Sequence, residues 1–153
     1  IIWSYNWGGR SQDNFARKHE YAWCYSKGKK FLFNGDDVRV DRKVTKNLRS
    51  GKNYTKGTIP TCVWEKNNHT TSVDYCGWHP TTKNLDILQR IIRAYTNENE
   101  LVLDIFMGSG STAIASKLTN RDYMGCELDI DYITKARKRI KSYDRINTLS
   151  SIL

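Results

Sequence analysis

The most constraining feature of this chain is the stretch LVLDIFMGSGSTAIA at residues 101–115. Three apolar residues, Leu101, Val102 and Leu103, end on a single carboxylate, Asp104. A glycine turn, Gly108-Ser109-Gly110, follows, and small helix-forming residues come after it. Strand, glycine loop and helix in this order are how α/β proteins build a cofactor cradle.

The neighbouring segments fit the same architecture. Leu85, Leu88, Ile91, Ile92 and Tyr95 recur at helical spacing, with Asn84 as N-cap and Asn97-Glu98-Asn99 as the stop. The pattern predicts a strand at 100–104, a helix at about 111–118, a strand at 123–128 and a last helix at about 131–142. In that helix Ile133, Ala136 and Ile140 turn inward, and Lys135, Arg137, Lys138, Arg139 and Lys141 turn mostly outward. Such alternation is part of a doubly wound, Rossmann-like α/β sheet. Residues 1–33 read as strands, with aromatic alternation at Trp3, Tyr5 and Trp7, then at Tyr21, Trp23 and Tyr25, and a third run at 31–34. Residues 34–76 read as an irregular insertion closed by a short strand at Val63 and Trp64. Residues 77–153 form the cofactor half.

Three glycine-loop chemistries compete. A phosphate-binding loop needs G-x-x-x-x-G-K-S/T, and no Lys precedes Ser111-Thr112. A dinucleotide loop needs G-x-G-x-x-G with a small third position. Gly108 and Gly110 are present, but the third position is Ala113 and Asp104 precedes the turn. A strand-end carboxylate suits a cationic, amine-bearing cofactor better than a pyrophosphate. S-adenosylmethionine, with an ammonium, a sulfonium and no phosphate, meets that requirement. Glu127 stands 23 residues after Asp104, at the end of the next strand, where a carboxylate holds a ribose diol.

Charge points to a second partner. Residues 27–56 hold ten Lys/Arg against three Asp, which is +7 of the formal +9. Concentrated in one polar segment, this is an electrostatic footprint for nucleic acid rather than a solvated loop. The four cysteines form no C-x-x-C pair, and the series Cys62, His69, Cys76 and His79 matches no usual zinc spacing. We expect no metal, and reduced thiols in a cytoplasmic protein. There is no apolar stretch of about 18 residues, so no membrane partner is expected. The Met-less start in an apolar run, Ile1-Ile2-Trp3, reads as the later part of a longer protein.

Taken in order, HPTTK at 79–83, LVLDIFMGSGST at 101–112 and YMGCELD at 123–129 resemble the DNA methyltransferases that modify adenine N6 or cytosine N4. The likeness is to their β-type arrangement, in which the cofactor half follows the catalytic half and the recognition segment. The resemblance assigns cofactor binding to His79, Pro80, Thr81, Thr82 and Lys83. It assigns the same role to Asp104, Ile105, Phe106, Gly108, Ser109, Gly110 and Thr112, and to Glu127 and Leu128. With the basic footprint it places double-stranded DNA against Arg39, Arg42, Lys43, Lys46, Arg49, Lys52 and Lys56. The segments 18–34 and 59–65 are also similar to those flanking the family's recognition region. Two positions depart from the family, Ile105 and Asn84 standing where proline is common.

The family's catalytic signature, (D/N/S)-P-P-(Y/F/W), holds the target amino group and stacks on the flipped base. This chain has two prolines, Pro60 and Pro80, which are not adjacent. The resemblance therefore implies a C-terminal portion with no catalytic residue of its own. The signature is expected upstream of Ile1, in a missing N-terminal portion or a complementing chain. The implied reaction is methyl transfer from S-adenosylmethionine to an exocyclic amine, on adenine rather than cytosine, in a bacterial or phage-encoded cytoplasmic enzyme. An inactive DNA- or cofactor-binding remnant, half of a split enzyme, and an RNA methyltransferase are the alternatives.

Overall fold

The computed structural model describes residues 1–6, 8–41, 57–65 and 75–150, with 144–150 by backbone alone. The fold is α/β, as the alternating pattern predicts. Three short strands, β1 (Ile2–Ser4), β2 (His19–Tyr21) and β3 (Val63–Glu65), form one sheet in the order β2-β1-β3. β1 pairs antiparallel with β2, Trp3 opposite Glu20, and parallel with β3, Trp3 opposite Trp64. Helix α1 (Leu85–Tyr95) leads into β4 (Leu101–Asp104), α2 (Ser111–Leu118), β5 (Asp122–Gly125) and α3 (Ile130–Ser150). β4 and β5 are parallel, with Leu101 opposite Asp122 and Asp104 opposite Gly125. A parallel pair requires a crossover, and α2 supplies it.

α1 packs on two sides. Leu85 and Ile92 join Ala113, Ile114, Ala115 and Ile140 in one buried cluster. Ile87 joins Trp3 and Trp64 in a second. A single apolar stripe is thus corrected to two, and α1 is the shared wall between the sheets. Asn84 caps it as expected, its side chain accepting from Ile87 N at 3.2 Å. α2 is buried nearly all round; Ala113, Ile114, Ala115 and Ser116 are wholly inaccessible. Small side chains let the helix sit this close to its neighbours. It ends with Asn120 in the left-handed region at φ 57°. Arg121 N and Asn120 N return to the carbonyls of Ser116 and Lys117, a Schellman closure.

Three expected elements differ. The aromatic run at 31–34 forms no strand. Asn34 instead caps the end of α1, its backbone N donating to Ala94 O at 2.8 Å and its amide to Thr96 O at 3.0 Å. Phe31 and Phe33 lie against Tyr95. β5 stops at Gly125 because the chain then turns to bring Glu127 back toward the loop. α3 runs on to Ser150 rather than ending near 142. Among the described residues no helix is long and apolar enough to cross a membrane.

Candidate cofactor-binding site

The glycine loop joins β4 to α2 and is tied at almost every residue. Asp104 anchors its start: one carboxylate oxygen accepts from Phe106 N at 3.0 Å, the other from Thr112 Oγ1 at 2.5 Å. Thr112 lies in the first turn of α2, so the two ends of the loop are pinned to one carboxylate. Met107 N donates to Cys126 O at 2.8 Å, and Gly110 N to Met107 O at 2.9 Å. Ser109 and Ser111 are buried and share a hydroxyl contact at 3.0 Å.

Glu127 closes the loop from the other strand. Its Oε2 accepts from Gly108 N at 2.9 Å, and its Oε1 from Leu128 N at 2.8 Å and Asp129 N at 3.0 Å. These backbone donors, led by Asp129, hold its pKa below the ordinary carboxylate value. The group stays ionised around neutral pH.

Two positions of the loop require glycine. Gly108 has φ +50°, and a Cβ there would lie 2.7 Å from His79 Nε2. Gly110 has φ +78°, and a Cβ would meet Ile140 Cδ1 at 3.1 Å. The missing side chain at Gly108 is what admits the His79 ring. That ring packs on Tyr132 at 4.8 Å between centroids and edge-on to Trp78 at 6.1 Å. Its Nδ1 accepts from Thr81 N at 3.3 Å, which assigns the proton of the neutral ring to Nε2. Burial lowers its pKa; the charge of Glu127 opposes this, and those of Lys83 and Arg139 reinforce it.

The structure thus gathers His79, Asp104, Gly108, Gly110, Thr112 and Glu127 around one loop. Thr82 is buried inside its own turn, donating to His79 O at 3.2 Å and touching Cys76 Sγ at 2.9 Å. Lys83 is drawn to the first sheet, its ammonium 2.9 Å from Glu20 and over the Trp3 ring. Pro80, Thr81, Ile105, Phe106 and Leu128 lie at the surface, Phe106 at 82% exposure and Leu128 at 100%. Arg139, expected to face outward, turns in to the loop and donates to Ser109 O at 2.9 Å and Ser111 Oγ at 3.0 Å. Its position three residues after the inward Ala136 is the signal that marks this face.

The arrangement offers two strand-end carboxylates on either side of a backbone turn, apolar side chains at its rim, and no phosphate-clamping lysine in the loop. It suits a ligand with a cationic end and hydroxyls. Of the basic residues singled out for DNA, Arg39 is described; its guanidinium is engaged by Asp36 at 2.6 Å. Arg42, Lys43, Lys46, Arg49, Lys52 and Lys56 lie outside the described residues. On either side of those residues, Val40 and Thr58 exchange two backbone hydrogen bonds of 2.9 Å.

A model of the N6_N4_Mtase family, DNA methylase, matches residues 1–138. The type II methyltransferase M1.MboII of Moraxella bovis is 34% identical over 154 aligned residues, covering 89% of this chain and 59% of that protein. M.HpaI of Haemophilus parainfluenzae is 33% identical, covering 93% and 44%. The crystal structure of an M1.HpyAVI–SAM complex superposes with a TM-score of 0.60 at 29% identity, covering 91% of this chain and 59% of that one. The chain therefore spans about half the length of the curated relatives it matches. The match begins at residue 1 and runs through both sheets. This corrects the reading of the chain as a C-terminal remnant that needs a complementing chain: the family match covers residues 1–138, nearly the whole chain and not its C-terminal half alone. The strands β1 to β3, with the α1 wall they share, belong to the same match as the glycine loop. The chain belongs to the N6_N4_Mtase family of DNA methylases.

Proposed function

We propose that this chain binds S-adenosylmethionine in the loop of residues 104–112 and serves methyl transfer to an exocyclic amino group of double-stranded DNA. Adenine N6 is the preferred target over cytosine N4, and the setting is the cytoplasm of a bacterium or a phage-infected cell. The observation that carries the reading is the tethered loop between Asp104 and Glu127, with its cationic-ligand chemistry. Bound there, the cofactor supplies a methyl group on a sulfonium, open to in-line attack by an amine. The remaining work falls to the chain's own residues. Asp104 faces the ammonium end, and Glu127 accepts from the ribose hydroxyls. Phe106 and Leu128, exposed at the rim, cover the apolar parts and exclude water. The neutral His79 ring fills the space above Gly108 and shapes the cradle without adding a charge that would repel a sulfonium. The basic segment that begins at Arg39 grips the DNA backbone.

Calorimetry with S-adenosylhomocysteine tests this reading. The protein should bind it, and Asp104→Asn should weaken binding by about 1–3 kcal/mol, the value of a charge-assisted hydrogen bond. Tight binding of NAD or ATP with no binding of either adenosyl ligand would overturn it. Methylation of RNA in preference to duplex DNA would move the substrate but not the cofactor.

A further inference from the structure

Among the described residues, the cation that reaches into the glycine loop comes from α3, not from the loop or the strand ends. Arg139 Nη1 donates to the carbonyl of Ser109 at 2.9 Å and to Ser111 Oγ at 3.0 Å. Ser109 and Ser111 are themselves joined through their hydroxyls at 3.0 Å. The guanidinium therefore spans the residue before Gly110 and the residue after it. Gly110 holds φ +78°, with Ile140 and Ala136 packed where its side chain would be. α3 thus presses on the turn with apolar groups and ties down its carbonyl with a charged one.

Helix stability alone does not explain this placement. Ser111 is the first residue of α2 and Gly110 its N-cap. A cation beside a helix N-terminus opposes the helix dipole. An arginine serving only α3 would do better in water, as its neighbours Arg137 and Lys138 do. What the contact secures is the Ser109 peptide, which sits between two left-handed glycines, Gly108 and Gly110. Such a turn has other accessible conformations when its carbonyl is unpartnered.

We propose that Arg139 is a positioning residue of the cofactor cradle: it holds the Gly108-Ser109-Gly110 turn in its binding shape before ligand arrives. The inference rests on the S-adenosylmethionine reading of the loop. A cradle that is competent only part of the time binds with an affinity reduced by that fraction, so loss of Arg139 acts on affinity without removing any group that touches the ligand.

The test is calorimetric titration of S-adenosylhomocysteine into the full chain and its variants, with thermal melts alongside. Arg139→Met is expected to weaken binding about tenfold, the scale of one charge-assisted hydrogen bond. Arg139→Lys, able to reach the same carbonyl, should recover most of the affinity, and so should millimolar guanidinium added to Arg139→Met. Lys138→Met, one residue away and exposed, should bind as the parent does. Parent binding with an unchanged Arg139→Met overturns the inference alone. An equal weakening in Lys138→Met, or no recovery in Arg139→Lys, overturns it in favour of a general charge or packing effect. No binding by the parent overturns the cofactor reading and this inference together. If Arg139→Met does not fold, Ser111→Ala with Arg139→Lys carries the test. The pair should bind more weakly than Arg139→Lys alone, and equal binding overturns the proposal.

Discussion

Glu127 and His79 face each other across Gly108, and their titrations give stability a pH signature. Three backbone N–H donors lower the Glu127 pKa. Its contribution is therefore fully present above the ordinary carboxylate value and lost as pH falls through the lowered one. The His79 pKa is also lowered, by burial first. The unfolded chain then binds more protons than the folded one just below the ordinary imidazole value. That contribution is complete above about pH 6.5 and fades as pH falls toward the folded value. Melting temperature should consequently drop in two windows on acidification. His79→Gln should flatten the upper window and Glu127→Gln the lower; a profile unchanged in both variants would contradict the assignment. The glycine between them makes a steric prediction. Gly108→Ala should cost about 1–2 kcal/mol for its left-handed backbone alone, with His79 displaced and S-adenosylhomocysteine binding weakened. Gly28→Ala, with open space around it, should stay within about 0.5 kcal/mol of the parent. Urea denaturation separates the two.

Helices α1 and α2 are joined at their C-terminal ends by Arg121, which is 7% exposed. It donates to Thr96 O at 2.7 Å, to Thr96 Oγ1 at 3.1 Å and to Thr119 O. Thr96 and Thr119 are the C-caps of the two helices, so one guanidinium meets the negative ends of both dipoles. Arg121→Met should cost about 2–3 kcal/mol by leaving cap carbonyls unpaired in a buried site, with an unchanged urea m-value. The elements themselves were largely legible. The β4–loop–α2 unit falls where its apolar run and glycines placed it, and Asn84 caps α1 as its side chain predicts. Periodicity marks which residues repeat but not how many neighbours a helix has, so the Ile87 face of α1 was hidden. The aromatic run at 31–34 misled for a related reason. Alternation fits a strand, yet Asn34 found better partners in the open carbonyls of α1. Arg139 reads as a surface charge by residue type, although its place three residues after Ala136 puts it on the inward face, where it meets the Ser109 carbonyl.

At the scale of the whole molecule, charge and cradle are separated along the chain. The carboxylates that define the loop lie in residues 104–127, while residues 27–56 hold +7 of the formal +9. Val40 and Thr58, which flank residues 42–56, are joined through their backbones, and neither core cluster takes a residue from 42–56. This gives a clean dissection. Replacing residues 42–56 by a short Gly/Ser linker should leave S-adenosylhomocysteine affinity near the parent value while lowering DNA affinity and its salt dependence together. Within the segment the two basic residue types should act differently. Changing Lys43, Lys46, Lys52 or Lys56 to Ala should weaken binding to all duplexes alike and lower the salt slope by about 1 for each phosphate left unneutralised. Changing Arg42 or Arg49, better suited to bidentate reading of guanine, should cost about 1–3 kcal/mol on a cognate site and relax preference at one base pair. Arg39 is held by Asp36 in the free protein, so Asp36→Ala should strengthen DNA binding if that guanidinium is also used. DNA affinity against salt, on cognate and scrambled duplexes, reads all of these effects. A linker variant with unchanged affinity and unchanged preference would show the segment to be a solvated loop and return the DNA grip to another face of the protein.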